Sequence, residues 1–555
     1  MGLVSIFSFV TTMISKHNLK FNLLDGLVML FGVTTFFSNN YVQNSDAITK
    51  QILLILIIIL YFYYRLAFQL NKYTSYWLSI CFVVTGLVEA VWGLSQIYGY
   101  APSQHALFRL TGSFFNPGPY ACYLAVVLPM TCYYALRYSI CYRVRFHFRN
   151  MPVYFLWGIS VLTFIAIVLV LPASMSRASW MAAIGGCVVV LLYFFSKTGK
   201  VKTYIVKNRK KCVFIVFVVL LLFAVGVFGT YHLKKDSADG RTFIWKNTIE
   251  LIKQKPFGVG LGHFSGSYGH IQATYFESGN GTADEERVAD CPEYAFNEYL
   301  QICAEQGIAV FLLFAGIVSY SLFIGFKRKK IAATSSFVAL LIAASVSYPF
   351  SVLPFLIVFV FLLALINKEE KGVLIPKPVS ILFAGCCLII VSLCLYNRYP
   401  TYNAYKKWKT LSFTYKYGDT KQASNGYRDL YPYLSDQIRF LFEYAQCLSK
   451  SEQYEASNQV LEKAVKISCD PMLYNIMGKN YQALKEYDSA EKSLKKASLI
   501  VPNRIYPYYL LMKLYVETGE ETKAIVTARI VLTKEPKVQS TAVREMREEA
   551  KKVVN

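Results

Sequence analysis

The sequence lacks the cysteine spacing that a metal centre requires. It has 13 cysteines in 555 residues, and most of them, such as Cys81, Cys187 and Cys386, lie inside apolar runs as small apolar residues. No group of them matches a zinc motif. Cys291 and Cys303 could form a disulfide in an oxidising compartment, although chance placement is the simpler account. We therefore expect neither a metal nor another cofactor.

Acidic residues are also scarce, with 34 Asp and Glu against 58 Lys and Arg and a net charge of +24. Such an excess can indicate nucleic-acid binding, but here the basic residues cluster in alternate loops between apolar runs. This is the positive-inside pattern of a membrane protein. It predicts no nucleic-acid partner, a cytoplasmic N-terminus, and an external location for one long loop and the C-terminal region. The basic clusters lie at 65–72, 137–149, 197–211, 327–330 and 368–377.

Long apolar runs are abundant, since 55% of the residues are hydrophobic. Because runs of this kind are apolar on every face, they indicate helices in lipid. We predict an all-α polytopic membrane protein, with a cytoplasmic lead at 1–20, no cleavable signal peptide, and a transmembrane domain at 21–400. Pro349 and Pro354 leave open whether the ninth and tenth spans form a hairpin or one broken helix. The eleven predicted spans are 21–38, 51–67, 76–98, 119–136, 152–171, 178–196, 211–229, 304–325, 332–348, 350–367 and 378–396.

Residues 401–555 contain an internal repeat of helical periodicity. Pro471–Arg504 and Ile505–Val538 align over their full length, and a preceding unit is readable at Leu441–Cys469. The pattern resembles the tetratricopeptide repeat, which stacks helix pairs into a solenoid that usually binds peptide or protein. We predict a helical solenoid with a docking surface for a protein partner; the alternative is a packing prop that covers the membrane domain. The recurring residues are Tyr474 and Tyr508, Tyr481 and Tyr515, Ala490 and Ala524, and Pro502 and Pro536.

One long polar loop, residues 230–303, is the region where we expect chemistry, because loops usually display functional groups. Arg241 is predicted at the head of an amphipathic helix in the membrane interface, facing lipid headgroups, and Arg177 at the start of the sixth span. Guanidinium groups and helix N-termini both bind phosphate oxygens. Together they predict a pyrophosphate site at the outer membrane surface, with Arg109 as a third candidate. Arg177 could instead be an interfacial arginine that reaches toward the headgroups.

The glycine run Gly258–His263 superficially matches a nucleotide-binding loop. It does not follow a predicted strand, and it lies on the predicted outer side, where nucleotides are scarce. We expect its glycines to let the backbone turn sharply beside Arg241.

Residues 100–330 contain a set of short motifs: Gly112-Ser113-Phe114-Phe115-Asn116-Pro117, Ser176-Arg177-Ala178, Gly240-Arg241 with Trp245 and Pro256, Gly258-Val259-Gly260, Asn297-Glu298-Tyr299-Leu300-Gln301 and Glu305-Gln306-Gly307. This set resembles the superfamily of O-antigen ligases, O-antigen polymerases and bacterial protein O-oligosaccharyltransferases. The resemblance implies transfer of an oligosaccharide from undecaprenyl pyrophosphate to an acceptor hydroxyl, outside the bacterial inner membrane, with inversion and without metal. It also implies that Arg177 and Arg241 bind the pyrophosphate.

The sequence departs from the family at one place. The family motif has a histidine before the asparagine, proposed to activate the acceptor, and here that position is Phe296. Because phenylalanine accepts no proton, the base must be another group or be unnecessary, and a member that only binds the donor is the further alternative. We favour Glu293, one helical turn away, as the third catalytic residue. The other candidates for the base are Glu298, His263 and His270, and the predicted substrate-binding residues are Arg109, Asn116, His263, Asn297 and Glu298.

Three acceptors remain open within this family: a lipid A core sugar, a growing polymer, or a protein Ser or Thr. The alternatives outside enzymology are a transporter of lipid-linked glycans and a scaffold that presents the repeats. A transporter would be expected to carry charged residues deep in its spans. Only Glu89 and Asp25 are prominent there in the sequence, so we favour the enzyme.

Overall fold

The computed structural model describes residues 1–14, 19–41, 48–71, 73–141, 151–197, 235–368, 372–417, 420–536 and 539–555. These residues form an all-α protein with one short antiparallel ribbon, β1 (Leu19–Phe21) and β2 (Val373–Ile375). Eleven helices in these ranges are apolar, and seven of them are long enough to cross a membrane. The apolar helices are α1 (Gly2–Ile14), α2 (Leu23–Tyr41), α3 (Ile48–Leu70), α4 (Thr74–Ile97), α5 (Pro117–Cys141), α6 (Met151–Val170), α7 (Arg177–Lys197), α12 (Ile308–Lys327), α13 (Ile331–Val346), α14 (Leu353–Ile366) and α15 (Lys377–Tyr417).

The polytopic all-α prediction is confirmed, and ten of the eleven predicted spans fall on helices. The predicted span 211–229 lies outside the described residues. Between α13 and α14, the chain turns through a short 3₁₀ segment, Pro349–Ser351, and the two helices pack against each other. The two prolines therefore mark a hairpin of short helices. Helix α15 runs without a break across residue 400, the predicted domain boundary, so the last span continues directly into the C-terminal region.

The N-terminal residues form a helix that is not predicted from the sequence. The polar residues Ser5, Ser8 and Thr12 of α1 are buried against the protein, whereas Phe7 and Ile14 are largely exposed. The helix packs along α15. A helix that buries its polar face against protein and exposes its apolar face is typical of a surface in contact with lipid. The apolar face of α1 therefore extends the lipid-facing surface of the bundle.

A buried ion pair joins three of the apolar helices beside the β-ribbon. The Arg65 guanidinium donates to both oxygens of the Asp25 carboxylate, at 2.9 and 3.0 Å, and both side chains are buried. Tyr61 donates to the same carboxylate, and Arg65 also donates to the main-chain oxygen of Asn367 at the end of α14. The network satisfies a charged pair inside the bundle and fixes the mutual positions of α2, α3 and α14.

In the described residues between α7 and α12, four helices lie in the loop that is predicted to be external and is called the external loop below. They are α8 (Lys235–Gln254), α9 (Phe264–Glu277), α10 (Ala283–Val288) and α11 (Glu298–Gln306). The Thr282 hydroxyl caps α10 in a reciprocal exchange with Glu285. The apolar face of α8 includes Phe243 and Leu251 and packs in a small core with α9 and α11. The loop is thus a folded unit and presents its polar residues on a rigid frame.

The C-terminal region is an array of helices that pack in sequential pairs. In the second repeat, a side chain at Gly478 would meet Leu494 of the partner helix, so the small residue allows the pair to approach closely. Ala490 and Ala497 are fully buried on the same partner helix. The packing agrees with the predicted helical solenoid. The array comprises α16 (Thr420–Leu434), α17 (Ile438–Lys450), α18 (Tyr454–Ile467), α19 (Pro471–Ala483), α20 (Tyr487–Ile500), α21 (Ile505–Glu517), α22 (Glu521–Thr533) and α23 (Thr541–Val554).

The suggested pairing of Cys291 with Cys303 is wrong. Cys291 forms a disulfide with Cys469, and the two Cα atoms are 5.5 Å apart. Cys303 is a free, buried thiol in α11. The sequence separation of 178 residues between the bonded cysteines explains the error, because only the docking of the array on the external loop brings them together.

We expect the buried ion pair to be a principal stabilising contact of the bundle. Asp25→Asn should leave the Arg65 charge buried and without a countercharge, at a cost of about 3–5 kcal/mol. Thermal unfolding in detergent should show a large fall in melting temperature. The double variant Asp25→Asn/Arg65→Gln should recover part of the loss.

Glu250→Gln is the matched control, because Glu250 forms an exposed ion pair with Lys253. It should change stability by less than about 1 kcal/mol. An Asp25→Asn variant that melts together with this control would show that the buried pair does not hold the bundle.

Candidate functional site

Arg241 lies in the middle of α8 and not at a helix start. The helix begins at Lys235, so Ser237, Asp239 and Gly240 are helical residues rather than a cap. The prediction that Arg241 heads its helix is therefore wrong, and the free amides at the start of its own helix do not adjoin it. Its guanidinium instead donates to the main-chain oxygen of Val346 at 2.8 Å. Because Val346 is the last residue of α13, this carbonyl has no partner within its own helix and suits a cation.

Arg177 is the first residue of α7, as predicted. It follows Met175, whose backbone is in the left-handed region with φ of 49° and closes the 3₁₀ turn Leu171–Ser174. The Trp180 indole donates to the oxygen of Leu171 at 3.0 Å and fixes this turn against α7. The arginine thus sits at a well-defined helix start, where main-chain N–H groups add positive potential.

The two arginines share one electrostatic environment. Burial lowers the pKa of Arg241, and the positive charge of Arg177 lowers it further. An arginine stays protonated at any physiological pH, so the positive charge of Arg177 acts on a second positive charge at a partly buried place. An anion between them would remove the repulsion. A shared anion site at Arg177 and Arg241 stays a prediction.

Phe296, which stands at the family's histidine position, contacts Arg241 directly. The guanidinium carbon lies 5.3 Å from the centre of the Phe296 ring, in a cation–π contact. Phe296 has a backbone φ of 51°, a strained conformation for a bulky residue. Such strain is usually found at functional sites. The aromatic ring therefore lines the site beside the cation, but it offers no group that can take a proton.

Two tyrosines extend the site from Phe296. Tyr348 meets Phe296 edge-on at 5.3 Å, and its ring stacks on Tyr294 with ring centres 4.9 Å apart. Burial raises the pKa of Tyr294 to about 12, and the negative charge of Glu293 contributes to the same shift. The pKa of Tyr348 is raised by burial, opposed by Arg241, and raised again by Glu293. Glu293 is exposed. Its charge and that of Arg241 both act on Tyr348.

The glycine run packs on the C-terminal end of α11, and not beside Arg241 as predicted. Gly258, Gly260 and Gly262 all have positive φ, and a side chain at Gly258 would strike the main chain of Glu305 and Gly307. The amides of Val259 and Gly260 donate to the main-chain oxygens of Ala304 and Glu305, at 3.0 and 2.8 Å. The turn therefore supports α11, the helix that carries the Asn297–Gln301 motif.

That helix uses Asn297 as its N-cap. The Asn297 side-chain oxygen accepts from the amides of Tyr299 and Leu300, at 3.0 and 3.2 Å. Glu298, next to it, is buried, and its carboxyl group accepts from the amide of Phe350. Burial raises the pKa of Glu298 to about 8, against the opposing effect of the Phe350 and Ser351 amides. In this structure, Asn297 caps α11, and Glu298 connects α11 to the segment between α13 and α14.

A cavity of about 240 Å³ opens next to the aromatic pair. Its polar end includes Tyr294, Glu298 and the ion pair of Lys50 with Glu305, whose charged atoms are 3.8 Å apart. Its body is apolar and runs between α2, α3, α12 and α14. The cavity thus joins a polar mouth at the external loop to a hydrophobic interior among the membrane helices. The apolar lining includes Val28, Phe31, Leu53, Ile57, Phe314, Ile317, Phe359 and Leu363.

The other predicted residues have local partners elsewhere. Arg109 is exposed in the loop after α4, and Asn116 accepts from the amide of Gly118 at the start of α5. His263 is buried, with Nδ1 3.1 Å from the oxygen of Leu261. His270 contacts Lys496 of α20 at 3.0 Å, on the face that meets the repeats. We therefore centre the site on Arg177, Arg241 and Glu293.

Sequence reasoning missed the residues that reach the site from distant segments. Tyr348 and Lys50 come from the α13–α14 hairpin and the start of α3, and no local pattern distinguishes them. Tyr294 was within reach, because it adjoins Glu293 in the motif region. Glu89 proves to be structural: it accepts from the amide of Ser113 at 3.1 Å. Within the described ranges, no group of three His, Cys, Asp or Glu residues could hold a metal ion.

The buried Glu298 gives a prediction about pH. Its pKa in the folded protein is about 8, above the usual value of about 4.3 for an unfolded chain. Between these values the folded protein holds a proton that the unfolded chain has lost, so stability should fall as pH rises from about 5 to about 8. The melting temperature of Glu298→Gln in detergent should fall less over this interval. Parallel curves for the two proteins would contradict the assignment.

Comparison with known proteins gives one family. Residues 162–315 match the family model described as Wzy_C, O-Antigen ligase. The match runs from α6 through the external loop into α12, and so includes Arg177, Arg241, Glu293 and Phe296. A search of curated proteins found no significant match. The motif resemblance and the matched region agree: this chain is a polytopic membrane protein whose residues 162–315 are similar to the O-antigen ligase family.

Proposed function

We propose that the protein transfers an oligosaccharide from undecaprenyl pyrophosphate to an acceptor hydroxyl on the outer face of a bacterial inner membrane. The observation that carries the proposal is the pair of like charges, in which Arg177 lowers the pKa of a partly buried Arg241. Such a pair is stabilised when a multiply charged anion binds between its members. Pyrophosphate is the anion that the family's chemistry supplies.

The two guanidinium groups would act on the leaving group. When the bond from the anomeric carbon to the pyrophosphate oxygen breaks, negative charge grows on the diphosphate. Fixed cations aimed at that charge lower the barrier because they need no reorganisation. The contacts of Arg241 with Val346 and Phe296 hold its side chain in place before the donor arrives. No metal is required for this role.

The cavity is the proposed place for the lipid part of the donor. A polyisoprenyl chain is apolar along its whole length, and it would reach the cavity from the surrounding bilayer. The interior between α2, α3, α12 and α14 offers apolar side chains, and Tyr294 links the mouth to the arginines through Tyr348. The volume of about 240 Å³ holds only the first isoprene units, so the rest of the chain would remain in lipid.

Glu293 is the proposed general base. It is exposed, and its charge acts on both Tyr294 and Tyr348, so it lies on the same side of the site as the cations. It would take the proton of the acceptor hydroxyl while the oxygen attacks the anomeric carbon and undecaprenyl pyrophosphate departs. Attack opposite the leaving group inverts the anomeric centre. Phe296 occupies the family's histidine position and contacts Arg241 with its ring. Because this ring accepts no proton, the base must be another residue, and we assign it to Glu293.

The disulfide supports an external location for the loop and the repeats. Disulfides persist in oxidising compartments such as the bacterial periplasm and are rare in the cytosol. Cys291 and Cys469 lie in the two parts that the charge pattern also assigns to the outside. The proposal therefore has donor, acceptor and repeats on one side of the membrane. The acceptor is one of three hydroxyl sources: a lipid A core sugar, a growing glycan, or a protein side chain.

The direct test is a reconstituted transfer assay. The protein is incubated in vesicles with undecaprenyl-pyrophosphate-linked glycan and each of the three acceptor classes, and released undecaprenyl pyrophosphate is measured. Arg177→Ala and Arg241→Ala should each lower the rate about 100-fold or more, because each removes one fixed cation from the transition state. Glu293→Gln should lower it about 100-fold by removing the base.

Arg287→Ala is the matched control, because Arg287 is an exposed arginine of the same loop, paired with Asp236. It should retain the wild-type rate. If Arg177→Ala and Arg241→Ala also retain that rate, the proposed site is wrong. Movement of intact donor across the vesicle membrane without cleavage would instead identify a transporter.

Inorganic pyrophosphate provides a second, equilibrium test of the same pair. It should raise the melting temperature of the purified wild-type protein, because a ligand that binds only the folded state stabilises it. The effect should weaken at high salt, and Arg241→Ala should abolish it while Arg287→Ala preserves it. Equal stabilisation of all three proteins would show that the anion binds elsewhere.

A further inference from the structure

We infer that the repeat array is a positioning clamp for the segment that carries Glu293 and Phe296. Two successive turns of the array hold residues 286–291 of the external loop, immediately before the site. This inference rests on the proposed function, and it adds a control element outside the family-matched region. It predicts that the clamp acts on the turnover step and leaves anion binding by the two arginines intact.

The first turn of the clamp follows α18. Its residue Cys469 is bonded to Cys291, two positions before Glu293. The turn packs closely against α9, where two glycines allow the approach. A side chain at Gly266 would strike the main chain of Lys466, and one at Gly269 would strike Cys469. The contact is therefore both covalent and closely packed.

The second turn, one repeat later, follows α20. The side-chain amide of Asn503 donates to the main-chain oxygens of Glu286, Arg287 and Ala289, at 2.9, 3.3 and 3.0 Å. Asn503 is itself buried. A single amide that serves three carbonyl groups holds the end of α10 in one conformation. Arg504 adds an ion pair with Asp290 at 3.9 Å.

A buried residue of the loop, Gln272, also contacts the array next to the same turn. Gln272 of α9 is fully buried, and its amide donates to the main-chain oxygen of Asp290 at 3.0 Å and also to that of Ile500. One side chain therefore joins the loop segment to the array. Asn503 contacts Ala289, Gln272 contacts Asp290, and the disulfide begins at Cys291, so the three contacts fall on consecutive residues.

The far end of the site segment is fixed by other contacts. The Trp245 indole donates to the oxygen of Ala295 at 2.9 Å, and the amide of Ala295 donates to Gln301 at 2.7 Å. Asn297 then caps α11. Residues 291–297 are thus held at one end by the repeats and at the other by α8 and α11. Without the repeat end, Glu293 keeps its sequence position but loses its fixed place relative to the cations.

A misplaced catalytic group lowers turnover strongly, since a displacement of about 1 Å can cost about 100-fold. Arg177 and Arg241 keep anchors outside the clamped segment, because Arg177 begins α7 and Arg241 of α8 donates to Val346. Loss of the clamp should therefore lower kcat for transfer while the affinity for inorganic pyrophosphate stays unchanged. A purely structural role in overall stability would change both quantities or neither.

The test uses the full-length protein with Cys291→Ser and Asn503→Asp. The latter keeps the shape of the side chain but replaces its donor by an acceptor. Each variant should lower kcat at least tenfold, with unchanged pyrophosphate binding. Dithiothreitol, whose two thiols reduce the disulfide to two cysteine thiols, should lower the wild-type rate to that of Cys291→Ser and have no effect on that variant. Lys496→Ala is the control, because Lys496 meets the loop at His270, away from this segment.

Hydrogen–deuterium exchange gives a readout that does not require catalysis. Amides of residues 291–301 should exchange faster in Cys291→Ser and Asn503→Asp than in wild type, whereas amides of α9 should not change. If the wild-type protein shows no transfer, the proposed function fails but the exchange result still decides the clamp. Unchanged exchange in residues 291–301, or faster exchange with an unchanged kcat, overturns the inference.

Discussion

The account depends on the confinement of two positive charges in one partly buried place. Arg177 begins α7. Arg241, on the external loop, donates to the main-chain oxygen of Val346 at the end of α13. Burial lowers the pKa of Arg241, and the charge of Arg177 lowers it further, so the confinement of the two charges costs free energy. An anionic ligand relieves that repulsion. The remaining elements of the site either aim these charges or position the groups that act with them.

The sequence predicts the membrane bundle well, because an apolar run of sufficient length has few structures available other than a helix in lipid. It predicts α1 poorly, since Ser5, Ser8 and Thr12 give that helix a polar stripe that faces protein rather than water. Arg177 is correctly assigned to a helix start. Arg241 is not, because the turn-forming residues before it, such as Gly240, are overridden by the continuous helix from Lys235.

The rest of the site could not be predicted because it is assembled by long-range packing. Tyr348 reaches Phe296 only after the α13–α14 hairpin folds against α11, and Cys469 reaches Cys291 only after the array docks. The sequence indicates sharp backbone turns in the glycine run, and Gly258, Gly260 and Gly262 have positive φ. Its actual role, a close approach to the main chain of Glu305 and Gly307, depends on a partner that local sequence does not identify.

The most direct test of the central claim is a cryo-EM structure of the full-length protein with undecaprenyl pyrophosphate. The account predicts that the diphosphate lies between Arg177 and Arg241, with its oxygens within about 3 Å of both guanidinium groups, and that the first isoprene units enter the cavity beside Tyr294. A diphosphate bound at another place, with the two arginines unbridged, would contradict it.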